Sequence, residues 1–208
     1  MAQVKSYRYA VVDVFTTEPL AGNPLAVFPD ASEFDETTMQ KIARELNLTE
    51  TGFVLPATRE DCVARVRIFT PAKELAYAGH PTIGTALVLL QEEMISRNSS
   101  EFSVEEEVGL IPIRIEGGQR PLIWFRMPPI REGRCYGSSL CARALGLQPQ
   151  DPLPMEPQLF SAGNPTVVVA AKDRAAVDRA WLDFAGLKTL KYVENVMRHH
   201  LISKAGGT

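Results

Sequence analysis

The 208-residue sequence predicts an α+β fold made of two related halves. Three observations carry that expectation. The segment Ala-Gly-Asn-Pro occurs twice, at Ala21–Pro24 and Ala162–Pro165, an offset of 141 residues from Ala21 to Ala162. In each copy a tight Gly-Asn-Pro bend leads into an apolar run, Leu25–Phe28 and Thr166–Val169, that reads as a buried strand. Between the copies, short strand-like runs alternate with a few segments of helical spacing. A repeat at so long an offset points to duplicated halves, not to a short-period array.

The elements follow in order. Tyr7–Phe15 is rich in Tyr and Val and reads as a strand ending in the polar turn Thr16-Thr17-Glu18, and Leu25–Phe28 resumes the sheet. Asp35 is placed to cap a helix over Glu36–Leu46, where Met39, Ile42, Ala43 and Leu46 fall on one face, and Asn47 closes it. Thr51–Leu55 and the alternating Cys62–Phe69 read as strands. Pro81 sits at a helix start, followed by Ile83, Ala86, Leu87 and Leu90 on one face. Strands are predicted at Glu101–Val108, Leu110–Glu116 and Leu122–Met127, with Gly117-Gly118 as a hairpin turn. Pro128-Pro129 and the Gly133–Gly137 loop mark a linker, which divides the chain into a first half over 1–127 and a partial second half over 128–208. A short helix at Ser138–Leu145, a proline-rich connection over Gln148–Pro157, a strand pair within Gln158–Ala171 and a helix over Asp173–Trp181 complete the pattern. The tail Lys188–Ser203 also has helical spacing, through Leu190, Val193, Met197 and Leu201.

Composition narrows the function. An apolar share of 45% with 23% charged residues is ordinary for a soluble domain. A net charge of −3 offers no electrostatic footprint for nucleic acid or an anionic membrane. Cys62, Cys135 and Cys141 form no CxxC pair, so neither a disulfide framework nor a zinc site is indicated. No stretch approaches the roughly 18 apolar residues of a membrane span, and the opening residues lack a signal-peptide pattern. A cytoplasmic location is expected.

Two segments carry candidate chemistry. Asn47–Thr51 places Glu50 where a helix gives way to a strand. A carboxylate at such a junction either projects into a cleft as general acid or base, or is a solvated turn residue. Ala78–Thr85 delivers the chain into a helix N-terminus, where Gly79 permits close backbone approach, free amides attract a carboxylate, and His80 offers a donor or proton carrier. The alternative is a helix start whose histidine serves the backbone. Neither GxxxxGK[ST] nor GxGxxG occurs, so this is not a phosphate loop. Asn23 either binds substrate or stabilises its own bend. Asp13, in an apolar strand, either accepts backbone hydrogen bonds or takes part in chemistry. His199 and His200 are adjacent and make a poor metal pair on a helix.

Taken together, AVVDVF, AGNPLAVF, ARELNLTETGFV, RIFTPAKELAYAGHPTIGTA and AGNPTVVV resemble the phenazine-biosynthesis PhzF-type proteins, isomerases with the diaminopimelate-epimerase fold. The resemblance implies two pseudo-symmetric halves, each a mixed sheet wrapped around a central helix, with the active site in the cleft between them. It implies cofactor-free proton transfer on a small carboxylated substrate, without metal, and a homodimer. Glu50 takes the place of the family's acid/base glutamate and His80 supports it, while Asn23, Gly79 and Thr82 are the expected substrate contacts. The family's second-half motif, E-D-P-A-T-G-S-A, is not found, and the repeat offset places it beyond Thr208. The second half is therefore expected to be incomplete, with an open sheet and no central helix. A catalytically inactive member serving as an interaction or remnant protein is the alternative to an active isomerase. A two-cysteine racemase is disfavoured, because no cysteine lies in Gly79–Ala86.

Overall fold

Strand β1 (Ala10–Val14) pairs antiparallel with β2 (Asn23–Phe28), and the first Ala-Gly-Asn-Pro bend ends the turn between them. The computed structural model describes residues 5–96, 98–117, 121–148, 151, 155–183 and, as backbone alone, 198–203. The chain divides into two units, Met1–Pro128 and Pro129–Thr208.

In the first unit, helix α1 (Glu36–Leu46) carries the chain from β2 to the parallel strand β3 (Glu50–Leu55). The Asp35 carboxylate accepts the Thr38 N–H at 2.7 Å. Asn47, in the left-handed region at φ 51, returns its N–H to the Ala43 carbonyl, a helix end of the kind short polar residues favour. Strand β4 (Ala64–Phe69) follows antiparallel to β3, with the two-residue β5 (Glu74–Leu75) on its edge. Helix α2 (Gly79–Gln91) then precedes β6 (Glu101–Glu106), β7 (Gly109–Glu116) and β8 (Leu122–Phe125). The sheet order is β1-β2-β3-β4-β6-β7-β8. Helix α2 touches β1 to β4 and also β8, the far end of that order, so the sheet curls around the helix.

Period-two alternation assigns each strand residue to a face. Leu25, Val27, Val54, Ala64, Val66 and Ile68 join one core with Ala86, Val88 and Leu89 of α2. The alternate residues Phe28, Phe53 and Phe69 pack with Met39 and Ala43 of α1 in a second core. Two glycines let α2 sit directly on the sheet. A Cβ at Gly84 would stand 2.6 Å from Leu25 Cδ2 and 3.0 Å from Val14 Cγ2, and one at Gly52 would stand 2.9 Å from Thr85 Oγ1. Gly84→Ala is expected to destabilise the unit by about 1–3 kcal/mol through overpacking, measured as a lower urea midpoint.

The second unit has a four-stranded sheet in the order β12-β11-β10-β9, from β9 (Arg131–Cys135), β10 (Gln158–Ser161), β11 (Pro165–Ala171) and β12 (Arg198–Ser203). Helix α3 (Ser138–Ala144) buries Cys141, Ala142 and Ala144 against Val167 and Val169. Helix α4 (Arg174–Arg179), capped by Asp173, packs on β11 and β12. Three expectations are corrected. The segment expected as linker, Gly133–Cys135, belongs to β9, whose edge position tolerates its exposed, glycine-containing sequence. The tail forms a strand at Arg198–Ser203, not a helix, because β11 offers it a parallel edge; Lys188–Met197 lies outside the described residues. The sheet is also not bare, since α3 covers the Val167 and Val169 face.

The repeated segments occupy matching places in the topology. Each leads from an antiparallel hairpin into a strand, then through a helix with an aspartate N-cap to a parallel neighbour: β1-β2-α1-β3 and β10-β11-α4-β12. The registers correspond as well, with Leu25 opposite Glu50 and Thr166 opposite Arg198. The glycines differ, since Gly163 has φ +116 while Gly22 is not in that region.

Candidate functional site

Three residues after the left-handed turn at Asn47, β3 opens with Glu50. Glu50 has the parity of Gly52 and Val54, so its side chain lies on the α2 face of the sheet. It is fully buried, and its Oε2 stands 3.5 Å from Nε2 of His80, the second residue of α2. The two side chains differ in access: 9% of the His80 side chain is exposed against 1% of Glu50. The pair therefore meets solvent on the imidazole side.

Helix α2 begins without a side-chain cap, at Ala78. The Gly79 and His80 amides belong to the helix's first turn, at the electropositive end of the peptide dipoles. Asn23 opens β2 with the parity of Leu25 and Val27, which puts it on the α2 face at the end of the sheet where Glu50 also sits. Glu50, His80, Gly79 and Asn23 are thus gathered at one end of the first unit. Thr82, the remaining expected substrate contact, is the fourth residue of α2. Its hydroxyl is buried and bonded within the protein, 2.8 Å from the Ala78 carbonyl and 2.6 Å from Glu106 Oε1. Asp13 accepts the Leu20 N–H at 2.7 Å and so serves the β1–β2 turn.

Sequence reasoning missed Glu106. It ends β6 on the inward parity of Val104, is 3% exposed, and its Oε2 is buried with no hydrogen-bond partner. Burial pushes its carboxyl up to about 7, with the Thr82 hydroxyl and the Ala78 amide acting in the opposite direction. Tyr77, beside it, is pushed up to about 12, first by burial and then by the Glu106 charge. The run of three glutamates at 105–107 hid this position; strand alternation from Val104 would have singled out the middle one.

Among the described residues, no group of three or more His, Cys, Asp or Glu side chains is placed to hold a metal ion. Cys135 is exposed, Cys62 half-buried and Cys141 buried, all as free thiols. No helix among the described residues is long and apolar enough to cross a membrane.

Comparison with known proteins identifies the family and the fold. The family model of the PhzC–PhzF phenazine biosynthesis-like proteins matches residues 12–205. The trans-2,3-dihydro-3-hydroxyanthranilate isomerase of Pseudomonas aeruginosa is 44% identical over 110 residues, covering 53% of this chain and 38% of its own length. The chain spans 38% to 61% of the length of the first curated relatives it matches. A PhzF-family phenazine biosynthesis protein of Bacillus anthracis superposes with a TM-score of 0.79 at 27% identity, over 98% of this chain and 69% of the other. A hydroxyproline epimerase of Agrobacterium vitis shares the fold, with a TM-score of 0.54 at 14% identity over 76% of this chain and 50% of its own. The chain belongs to the PhzC–PhzF family of phenazine biosynthesis-like proteins and has their diaminopimelate-epimerase-like fold.

Proposed function

We propose that this chain is an isomerase of the PhzF type that moves a proton on a small carboxylated substrate without a cofactor, with Glu50 as the acid/base. The observation that carries the reading is the buried Glu50 carboxylate 3.5 Å from His80, at the opening turn of α2. The carboxylate takes a proton from a carbon beside a conjugated or carboxyl-activated centre. The C–H electron pair moves into the neighbouring π-system, and the charge that develops is met by the Gly79 and His80 amides and by the imidazole. Glu50 returns the proton at another carbon, so no oxidant or reductant is consumed. Asn23, on the same face, is the polar group best placed to orient the substrate.

The relative that isomerises trans-2,3-dihydro-3-hydroxyanthranilate makes that compound the first candidate. The test is deuterium incorporation from D2O into a panel of unsaturated and amino carboxylates including it, followed by proton NMR with and without a chelator. Exchange confined to the donor and acceptor carbons, unaffected by the chelator, is expected. A folded protein that exchanges none of the panel, or exchanges only with added metal, would overturn the reading.

A further inference from the structure

The Thr82 hydroxyl has one proton and two oxygens in reach, the Ala78 carbonyl at 2.8 Å and Glu106 Oε1 at 2.6 Å. A carbonyl only accepts. If Thr82 donates to Ala78, the 2.6 Å contact needs a proton from Glu106. If Glu106 is ionised, the hydroxyl turns toward it and the side-chain bond to Ala78 is lost. Two observations favour the first arrangement. Glu106 is 3% exposed, and its Oε2 accepts no hydrogen bond of ordinary geometry, so a charge there would have little beyond the Ala78 amide to meet it. Ala78 is the residue on which α2 starts, and its carbonyl also receives the Thr82 N–H at 3.2 Å.

We propose that Glu106 is a positioning residue: as a neutral carboxylic acid it donates to Thr82 Oγ1 and so ties down the first turn of α2, which sets His80 against Glu50. The proposal rests on the proton-transfer reading for its effect on turnover, but its structural core does not. The groups facing Glu106 are the Tyr77 phenol and the Ala78 amide from the segment entering α2, the Thr82 hydroxyl from α2, and the Gly109 backbone opposite it on β7. Tyr77 stays neutral through the relevant range. Because the folded carboxyl holds its proton more tightly than an exposed one, the stabilisation it supplies is present below the ordinary value of 4.5 and fades as pH rises to about 7.

The experiment compares wild type with Glu106→Gln, which keeps the shape and a donor but cannot ionise, and with Glu106→Leu, which removes the donor. In wild type, the Gly79 and Thr82 amide resonances should share a transition near pH 7, and infrared difference spectra should show a carboxylic acid carbonyl band on its acid side. Both should vanish in Glu106→Gln, with proton exchange retained and its decline through that pH removed. Glu106→Leu should lose about tenfold to a hundredfold in kcat with little change in KM, as expected when a reacting group is misplaced. Should that variant fail to fold, Thr82→Val breaks the same relay and should show the same loss. An amide transition that persists in Glu106→Gln, a carbonyl band unchanged by it, or a relay-breaking variant that folds with unaltered exchange would each overturn the proposal. The spectroscopic arms need no substrate, so they judge Glu106 even if the wild-type protein exchanges nothing.

Discussion

Glu50→Gln is expected to lower proton exchange by roughly a hundredfold to ten-thousandfold, the range that a positioned general acid or base contributes. The amide keeps the shape of the carboxylate but cannot take a proton from carbon. Because Glu50 is buried beside His80, the loss should fall on kcat more than on KM: what disappears is the proton transfer, not the amides at the start of α2. The fold should survive, since the amide fills the same volume and can still hydrogen-bond to the His80 ring. The check is deuterium incorporation alongside a urea titration. Substantial exchange in a folded Glu50→Gln protein would remove Glu50 from the mechanism and send attention to His80.

Phe53→Ala should do the reverse. Phe53 is fully buried, stacked on Phe28 with ring centroids 5.1 Å apart, and meets Phe69 edge-on at 5.5 Å and Phe34 at 6.2 Å. Truncating such a side chain leaves a cavity that its three aromatic neighbours cannot readily fill, at a cost of about 3–5 kcal/mol. Phe53 lies on the α1 face of β3 and Glu50 on the α2 face, so the folded fraction should keep its site geometry. Denaturant midpoints should therefore fall sharply while exchange per folded molecule is preserved. A proportionate loss of both would mean that the two faces of β3 are mechanically coupled.

Much of this was legible because local signals agreed with one another. The helix at Glu36–Leu46 was bounded by an aspartate that caps and an asparagine that accepts a left-handed turn, and both do so. Those bounds fix where β3 starts, and hence where Glu50 stands. The approach of His80 to Glu50 was not legible from spacing, since thirty residues and the curl of the sheet separate them; it depends on Gly52 and Gly84 letting α2 settle on the strands. The tail was misread because apolar residues in a short run fit a helix and a strand alike, and only an available edge, here that of β11, decides between them. Glu106 was overlooked because a glutamate between two glutamates reads as solvated surface until the strand's parity is counted.

The matched registers of the two hairpin-and-crossover segments have a consequence for stereochemistry. The place held by Glu50 opposite Leu25 in one copy is held by Arg198 opposite Thr166 in the other. Arginine keeps its proton at every working pH and cannot serve as a base. On the proposed reading of Glu50, the matching position of the second copy therefore carries no second base. A racemase that treats mirror-image substrates evenhandedly draws on two opposed bases; a single carboxylate removes and redelivers hydrogen on the same side. Transfer within one substrate molecule should then be suprafacial, and a deuterium placed at the donor carbon should partly survive into the product even in ordinary water.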